Sequence, residues 1–247
     1  MKINKRLIAF VLVILVLALI SVIYPSLKHT GKSINIQYEK EKNTLVRVVD
    51  GDTIELEDNK VVRLLGINTP EKNMPYSELG KNFLQQFVGK TIYTQRDKED
   101  TDKYGRKLRY IFYEDRLLNL EIIENGFANA YMTKGLIYEQ EFLNAENQAR
   151  DFESGIWQNS EDSCSNCITL SNLDLKRDSF ILTNTCSFDC NLSVWFVKDS
   201  GRNIMNLSII PAKQERFFQS KPGVWNDDGD EFFLFDSEGR LVLFERY

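Results

Sequence analysis

Histidine is almost missing from this chain. Of 247 residues one is histidine, His29, and it precedes the first segment with folding character. That scarcity excludes histidine-based acid/base chemistry, histidine metal clusters and any serine–histidine pairing within the folded parts. A Gly-rich phosphate loop of the nucleoside-triphosphate type is also lacking. So is an excess of positive charge: 31 Lys and Arg stand against 36 Asp and Glu, for a net charge of −5. This balance argues against a protein that grips polyanions through a broadly basic surface, so any attraction of an anion has to be local.

What is present is apolar and aromatic material for packed cores, 43% and 12% of residues, in a chain long enough for two ordinary domains. The run from Leu7 to Tyr24 is apolar apart from Ser21, follows Lys2, Lys5 and Arg6, and ends at Pro25. As a helix it would rise about 27 Å, close to the thickness of a bilayer core. Residues 1–25 therefore read as an uncleaved transmembrane helix anchoring the chain to a membrane, N-terminus cytoplasmic, with the rest extracytoplasmic. Secretion after signal cleavage is the alternative. Residues 26–42 are polar and read as a flexible tether.

From Thr44 the pattern becomes strand-like, with Leu45 to Val49, Thr53 to Glu57 and Val61 to Ile67 separated by tight turns. Leu79, Phe83, Leu84 and Phe87 then recur at helical spacing over Ser77 to Val88, stopped by Gly89. Two further strands, Thr91 to Arg96 and Leu108 to Tyr113, and two helices, Leu117 to Asn125 and Tyr138 to Phe152, complete an α+β pattern fitting an OB-fold barrel over residues 43–158. The charge run Lys98 to Asp102 reads as solvated surface.

Three segments of this region carry chemistry: Asp50-Gly51-Asp52-Thr53, Arg63-Leu64-Leu65-Gly66-Ile67-Asn68-Thr69-Pro70-Glu71, and Asp102-Lys103-Tyr104-Gly105-Arg106. Arg63 interrupts a hydrophobic strand, where a charge is costly unless it projects into a site. Guanidinium forks on Arg63 and Arg106 suit two oxygens of a phosphate. Glu71 follows Pro70, whose ring stiffens the backbone, and is the candidate general base or water-positioning acceptor. Together they read as a phosphodiester-cleaving site.

In this order, these segments closely resemble the staphylococcal nuclease (thermonuclease) family, over roughly Asn43 to Trp157. The resemblance implies an OB-fold barrel and Ca2+ held by Asp52, the Asn68 side-chain oxygen and the Thr69 carbonyl. It further implies catalytic roles for Arg63, Glu71 and Arg106, and substrate contacts from Lys103, Tyr104 and Tyr131. The implied activity is cleavage of DNA and RNA with little base specificity, water attacking phosphorus and the 5′ oxygen leaving to give 3′-phosphate ends. Many family members carry Asp where this chain has Asn68, so weaker metal affinity is expected. The alternative is a degenerate copy that binds nucleic acid or protein without cutting.

Beyond Trp157 a linker, residues 159–167, leads to short strand-like runs over 168–247, at Ser179 to Thr183, Leu192 to Val197, Gln214 to Phe218, Glu231 to Phe235 and Leu241 to Phe244. These suit an all-β sandwich. The segment Val224-Trp225-Asn226-Asp227-Asp228-Gly229-Asp230-Glu231 and the later Leu234-Phe235-Asp236-Ser237-Glu238-Gly239 resemble the lamin-tail family, which implies an immunoglobulin-like fold. Cys164 and Cys167, with Cys186 and Cys190, form two close pairs. Disulfides joining linker to sandwich, with three possible connectivities, and a structural Zn2+ site are the two readings.

Overall fold

The computed structural model describes residues 38–131, 135–226 and 230–247. Among these no helix is long and apolar enough to cross a membrane, and the expected anchor at residues 7–24 lies outside them. The chain first forms β1 (Glu41–Asp50), β2 (Thr53–Leu56), β3 (Val61–Leu64) and β4 (Ile67–Asn68), then α1 (Ser77–Gln85), β5 (Thr91–Gln95), β6 (Lys107–Tyr113) and β7 (Arg116–Leu117). Helix α2 (Leu118–Glu124), β8 (Asn129–Ala130) and α3 (Glu139–Asp151) follow.

The main sheet runs β3-β2-β1-β5-β6-β7, and a parallel pairing of β3 with β6 closes it into a five-stranded barrel. Strand β1 serves two neighbours in succession: residues 41–44 pair with β5 and residues 45–50 with β2. Register shifts after Leu45 and Val48 give it the bend that closure requires. Barrel formation thus begins inside the expected tether, since Glu41 and Lys42 already pair with Thr94 and Tyr93. Leu45, Ile54, Val62, Leu64, Ile92 and Ile111 fill the interior.

The expected strand from Val61 to Ile67 is broken after Leu64. Gly66 turns the backbone with φ 74°, and β4 leaves the barrel to pair with β8. Buried Asn119 fixes this turn, its Nδ2 donating to Leu65 O at 2.8 Å and its Oδ1 accepting the Ile111 N–H at 2.8 Å.

The second half holds β9 (Ile168–Asp174), β10 (Ser179–Asn184), β11 (Phe196–Lys198), β12 (Ile204–Asn206), β13 (Glu215–Gln219), β14 (Glu231–Phe235) and β15 (Leu241–Arg246). They make two sheets, β13-β10-β9 and β12-β11-β14-β15, over a core that includes Phe180, Trp195 and Phe232. The expected strand from Leu192 starts only at Phe196. Leu192 to Trp195 is a turn closed by Trp195 N–H donating to Leu192 O at 3.0 Å, with both side chains buried.

Cys164 bonds to Cys190, and Cys167 to Cys186, tying the linker to the sandwich in a nested pair. No described cysteine is free, which corrects the zinc alternative: no thiolate remains to ligate a metal.

The two halves share a joint. Trp157 is buried, with its ring 5.2 Å from Phe244 and 6.0 Å from Phe233. Asn159 bridges to Leu241 in parallel, extending β15. Beside this apolar contact lies an ionic group of two buried carboxylates and a partly exposed arginine. Arg246 Nη1 is 2.7 Å from Glu146 Oε2 and its Nε donates to Glu231 Oε1 at 2.8 Å. Asn129 Nδ2 donates to the other Glu231 oxygen at 2.7 Å. Glu146 falls in the buried stripe of α3 with Phe142, Ala145 and Ala149, so that stripe carries a charge whose ion-pair partner among the described residues is Arg246 of the second half.

Two outcomes are expected. Breaking the Cys164–Cys190 link by double Ala substitution should lower stability by about 3 kcal/mol through the loop it closes. Urea midpoints with and without the substitutions read this. Burial, and then the nearby Glu146 charge, push the Glu231 carboxyl up to about 7 despite Arg246. Because the folded-state value is raised, its contribution is full below 4.5 and is lost as pH rises through about 7. Urea midpoints at pH ~5 and ~8 should therefore fall more in the unsubstituted protein than in Glu231→Gln. Identical falls would contradict this.

Candidate active site

The acidic turn between β1 and β2 closes on itself, with Asp50 Oδ1 accepting the Asp52 N–H at 3.1 Å. Gly51 is required by space, since a Cβ there would stand 2.8 Å from the Thr69 side chain. Gly80 of α1 seats the helix on the same point, its own Cβ position falling 3.1 Å from Gly51 Cα. The turn is thereby pressed against Thr69.

Asp52 is the hub. Its Oδ2 accepts the Thr69 N–H at 3.1 Å and the Thr69 hydroxyl at 3.0 Å, and lies 3.2 Å from Arg63 Nη2. Its Oδ1 accepts the Thr53 hydroxyl at 3.1 Å. With only 9% of the side chain exposed, these partners are what make the charge tolerable.

Arg63 alternates with Val62 and Leu64, which face the barrel interior, and so projects the other way into the cleft. Its Nη1 donates to Leu64 O at 3.0 Å and its Nη2 to Asn68 Oδ1 at 3.2 Å. The Asn68 amide is spanned on both sides, because Nδ2 donates to Ser200 O at 2.8 Å.

Arg106 is held by its own turn. Asp102 Oδ1 accepts the Tyr104 and Arg106 N–H groups at 2.9 Å each, and Asp102 Oδ2 accepts Arg106 Nε at 2.7 Å. Burial alone would raise the Asp102 carboxyl, but the Arg106 side chain and the two N–H donors outweigh it and leave it below its ordinary value. Arg106 Nη1 reaches Thr53 Oγ1 at 3.4 Å. Both guanidiniums are thus tied to Asp52, one directly and one through a hydroxyl.

Within the charge run before this turn, Lys98, Glu99 and Thr101 are exposed as expected, whereas Asp100 and Asp102 are half-buried. Asp100 accepts from Lys107 Nζ and from Arg109 Nη2 at 2.6 Å, and these two cations, Lys107 first, hold its carboxyl down to about 2.

Glu71 is partly exposed at the rim, its Oε1 accepting Arg202 Nε at 2.8 Å. Tyr104 is 71% exposed, with Lys103 Nζ 5.2 Å and Arg106 Cζ 5.6 Å from its ring. Tyr131 is half-exposed, its N–H donating to Gly66 O at 3.0 Å. Every one of these expected site residues lines a single cleft of about 650 Å3: Arg63, Glu71 and Arg106, Asp52, Asn68 and Thr69, and Lys103, Tyr104 and Tyr131.

For a metal, the described residues offer no cluster of three or more His, Cys, Asp or Glu side chains. They do offer two neighbouring carboxylates with an amide and a carbonyl oxygen, the hard donor set that a hard cation takes. Burial first, and then the Asp52 charge, raise the Asp50 carboxyl, so a nearby positive charge is electrostatically favoured here. The donors fit Ca2+ in kind.

Sequence reasoning missed four contributors. Asp102 and Thr53 orient Arg106 through hydrogen bonds that no charge pattern announces. Ser200 and Arg202 come from the turn between β11 and β12, more than a hundred residues away from the partners they touch. No linear signal marked them.

The staphylococcal nuclease homologue family model matches residues 61–159. The thermonuclease of Staphylococcus intermedius is 28% identical over 158 residues, spanning 59% of this chain and 94% of that protein. Protein ParB of Escherichia coli is 31% identical over 128 residues, 47% of this chain and 72% of its own length. An uncharacterized protein of Methanocaldococcus jannaschii is 34% identical over 152 residues, covering 49% and 73%. With the barrel and these alignments agreeing, the chain belongs to the staphylococcal nuclease homologue family.

Proposed function

We propose that the chain is a Ca2+-dependent, sugar-non-specific nuclease that hydrolyses DNA and RNA to 3′-phosphate products. One observation carries the reading: Arg63, Glu71 and Arg106, delivered by three separated segments, line the same cleft as Asp52, Asn68 and Thr69. In this reading Glu71 orients a water and accepts its proton. Arg63 and Arg106 each donate to non-bridging oxygens as negative charge builds on the phosphoryl group. Their fixed positions limit reorganisation: Asp52 and Asn68 hold one guanidinium, Asp102 holds the other. Lys103 meets a flanking phosphate, while Tyr104 and Tyr131 pack against sugar or base.

Asp52, the Asn68 side-chain oxygen and the Thr69 carbonyl would hold the Ca2+. Bound there, it would supply Lewis-acid polarisation of a phosphate oxygen and a template for water. Asn68 provides an oxygen without a charge, so the calcium requirement is expected to be high.

Membrane anchoring through residues 1–25 with the cleft on the outer side remains part of the proposal. The two disulfides support it, because such bonds persist in oxidising compartments. The two packed sheets of the second half support a lamin-tail-like sandwich that serves as an accessory domain. A non-catalytic binding module is the second reading, favoured by the pairing of Glu71 with Arg202.

Incubation of the purified chain with single-stranded DNA and with RNA, in calcium or in chelator, decides between the two. Cutting of both in calcium alone is expected, and binding without cutting would sink the nuclease reading. Arg63→Lys, Arg106→Lys and Glu71→Gln should each lower turnover about a hundredfold or more with the melting temperature nearly unchanged.

A further inference from the structure

The second half of the chain does more than pack beside the barrel. The turn joining β11 to β12 reaches the cleft, where Ser200, Gly201 and Arg202 form part of its wall. That turn is braced. Asp199 accepts from Asn203 N–H at 2.9 Å and from Asn203 Nδ2 at 2.6 Å, while Asp230 accepts the Ser200 N–H at 3.0 Å and the Ser200 hydroxyl. Buried Lys198 donates to Asp199 O at 2.8 Å and anchors the strand below. From this support two contacts cross to the barrel, Ser200 O to Asn68 and Arg202 to Glu71.

Arg202 differs from the other two cleft arginines. Its side chain is 74% exposed, and among the described residues Glu71 is its one side-chain partner, engaged through Nε. An ion pair that exposed contributes little to stability, so the pairing is cheaply exchanged for another anion. The guanidinium fork matches a phosphate, which offers two oxygens at charge-assisted distance where Glu71 takes one nitrogen. Arg63 and Arg106 are held by their own carboxylates, Asp52 and Asp102, and mostly covered, so Arg202 is the cleft arginine able to turn to a further phosphate.

We propose that Arg202 is a substrate-binding residue lent to the cleft by the second half of the chain. Its guanidinium passes from Glu71 to a backbone phosphate next to the scissile diester when a polynucleotide strand enters. The substrate class it selects is a strand with at least two backbone phosphates rather than an isolated diester. This rests on the nuclease reading for the identity of the strand, but binding alone can test it.

The test uses the full chain in calcium, with Glu71→Gln to stop turnover, and compares it with Glu71→Gln/Arg202→Ala. The probes are a fluorescent single-stranded octanucleotide and a dinucleotide holding one diester. Removing Arg202 is expected to weaken octanucleotide binding about tenfold and to flatten the plot of log affinity against log salt by about 0.7, the share of one phosphate contact. Dinucleotide affinity should stay the same. Equal octanucleotide affinity and slope in the two variants would overturn the proposal, as would a parallel loss for the dinucleotide, which marks a merely structural arginine. Absence of cutting by the unsubstituted chain defeats the nuclease reading without touching this result, so the two failures are separable.

Discussion

The site depends on what surrounds one carboxylate. Asp52 sits in the turn between β1 and β2 with little solvent, and each of its oxygens is claimed by a neighbouring segment: Thr69 after β4, Arg63 from β3, Thr53 from β2. A buried charge that accepts several hydrogen bonds is stable only in that arrangement, so it specifies the arrangement. Through Thr53 the same carboxylate also reaches Arg106. The position of Arg63 is therefore a consequence of solvating Asp52, while Arg106 is held chiefly by Asp102, and the close fit of Gly51 and Gly80 allows Thr69 near enough to take part.

An acidic protein that handles a polyanion has to concentrate its positive charge. Here each cleft guanidinium is matched with a carboxylate that aims it, Asp52 for Arg63, Asp102 for Arg106 and Glu71 for Arg202. The pairs differ in exposure. Arg63 and Arg106 are mostly covered and fixed, whereas Arg202 stands in solvent. The second half enters this scheme because its joint with the barrel is substantial. Trp157 fills the apolar contact, and Arg246 neutralises Glu146 and Glu231 in the ionic one.

Much of the barrel was legible because its strands alternate or run apolar between strong turn signals, and the three chemical segments kept their order and spacing. Strand β4 was not, since Gly66 turns the chain within an apolar run that offers no change of period. The turn before β11 was misread for a related reason: Leu192 and Trp195 are both buried, yet they are joined by a turn rather than a strand. Strand β12 is three residues long with Met205 alone half-buried, too short for its alternation to stand out. The Arg202 contact was out of reach because an exposed Gly-Arg-Asn turn looks solvated until the fold brings Glu71 to it. Cysteine spacing left two chemistries open, and only proximity in the fold joined linker to sandwich.

The central claim is that water, placed by Glu71 between two fixed guanidiniums, attacks phosphorus and expels the 5′ oxygen. Digestion of single-stranded DNA in 18O-labelled water, with mass analysis of the cut ends, tests it most directly. The account predicts one 18O atom in each new 3′-phosphate and none in the 5′-hydroxyl ends, with no products in chelator. Label on 5′-phosphate ends, or calcium-treated DNA left intact, would contradict it.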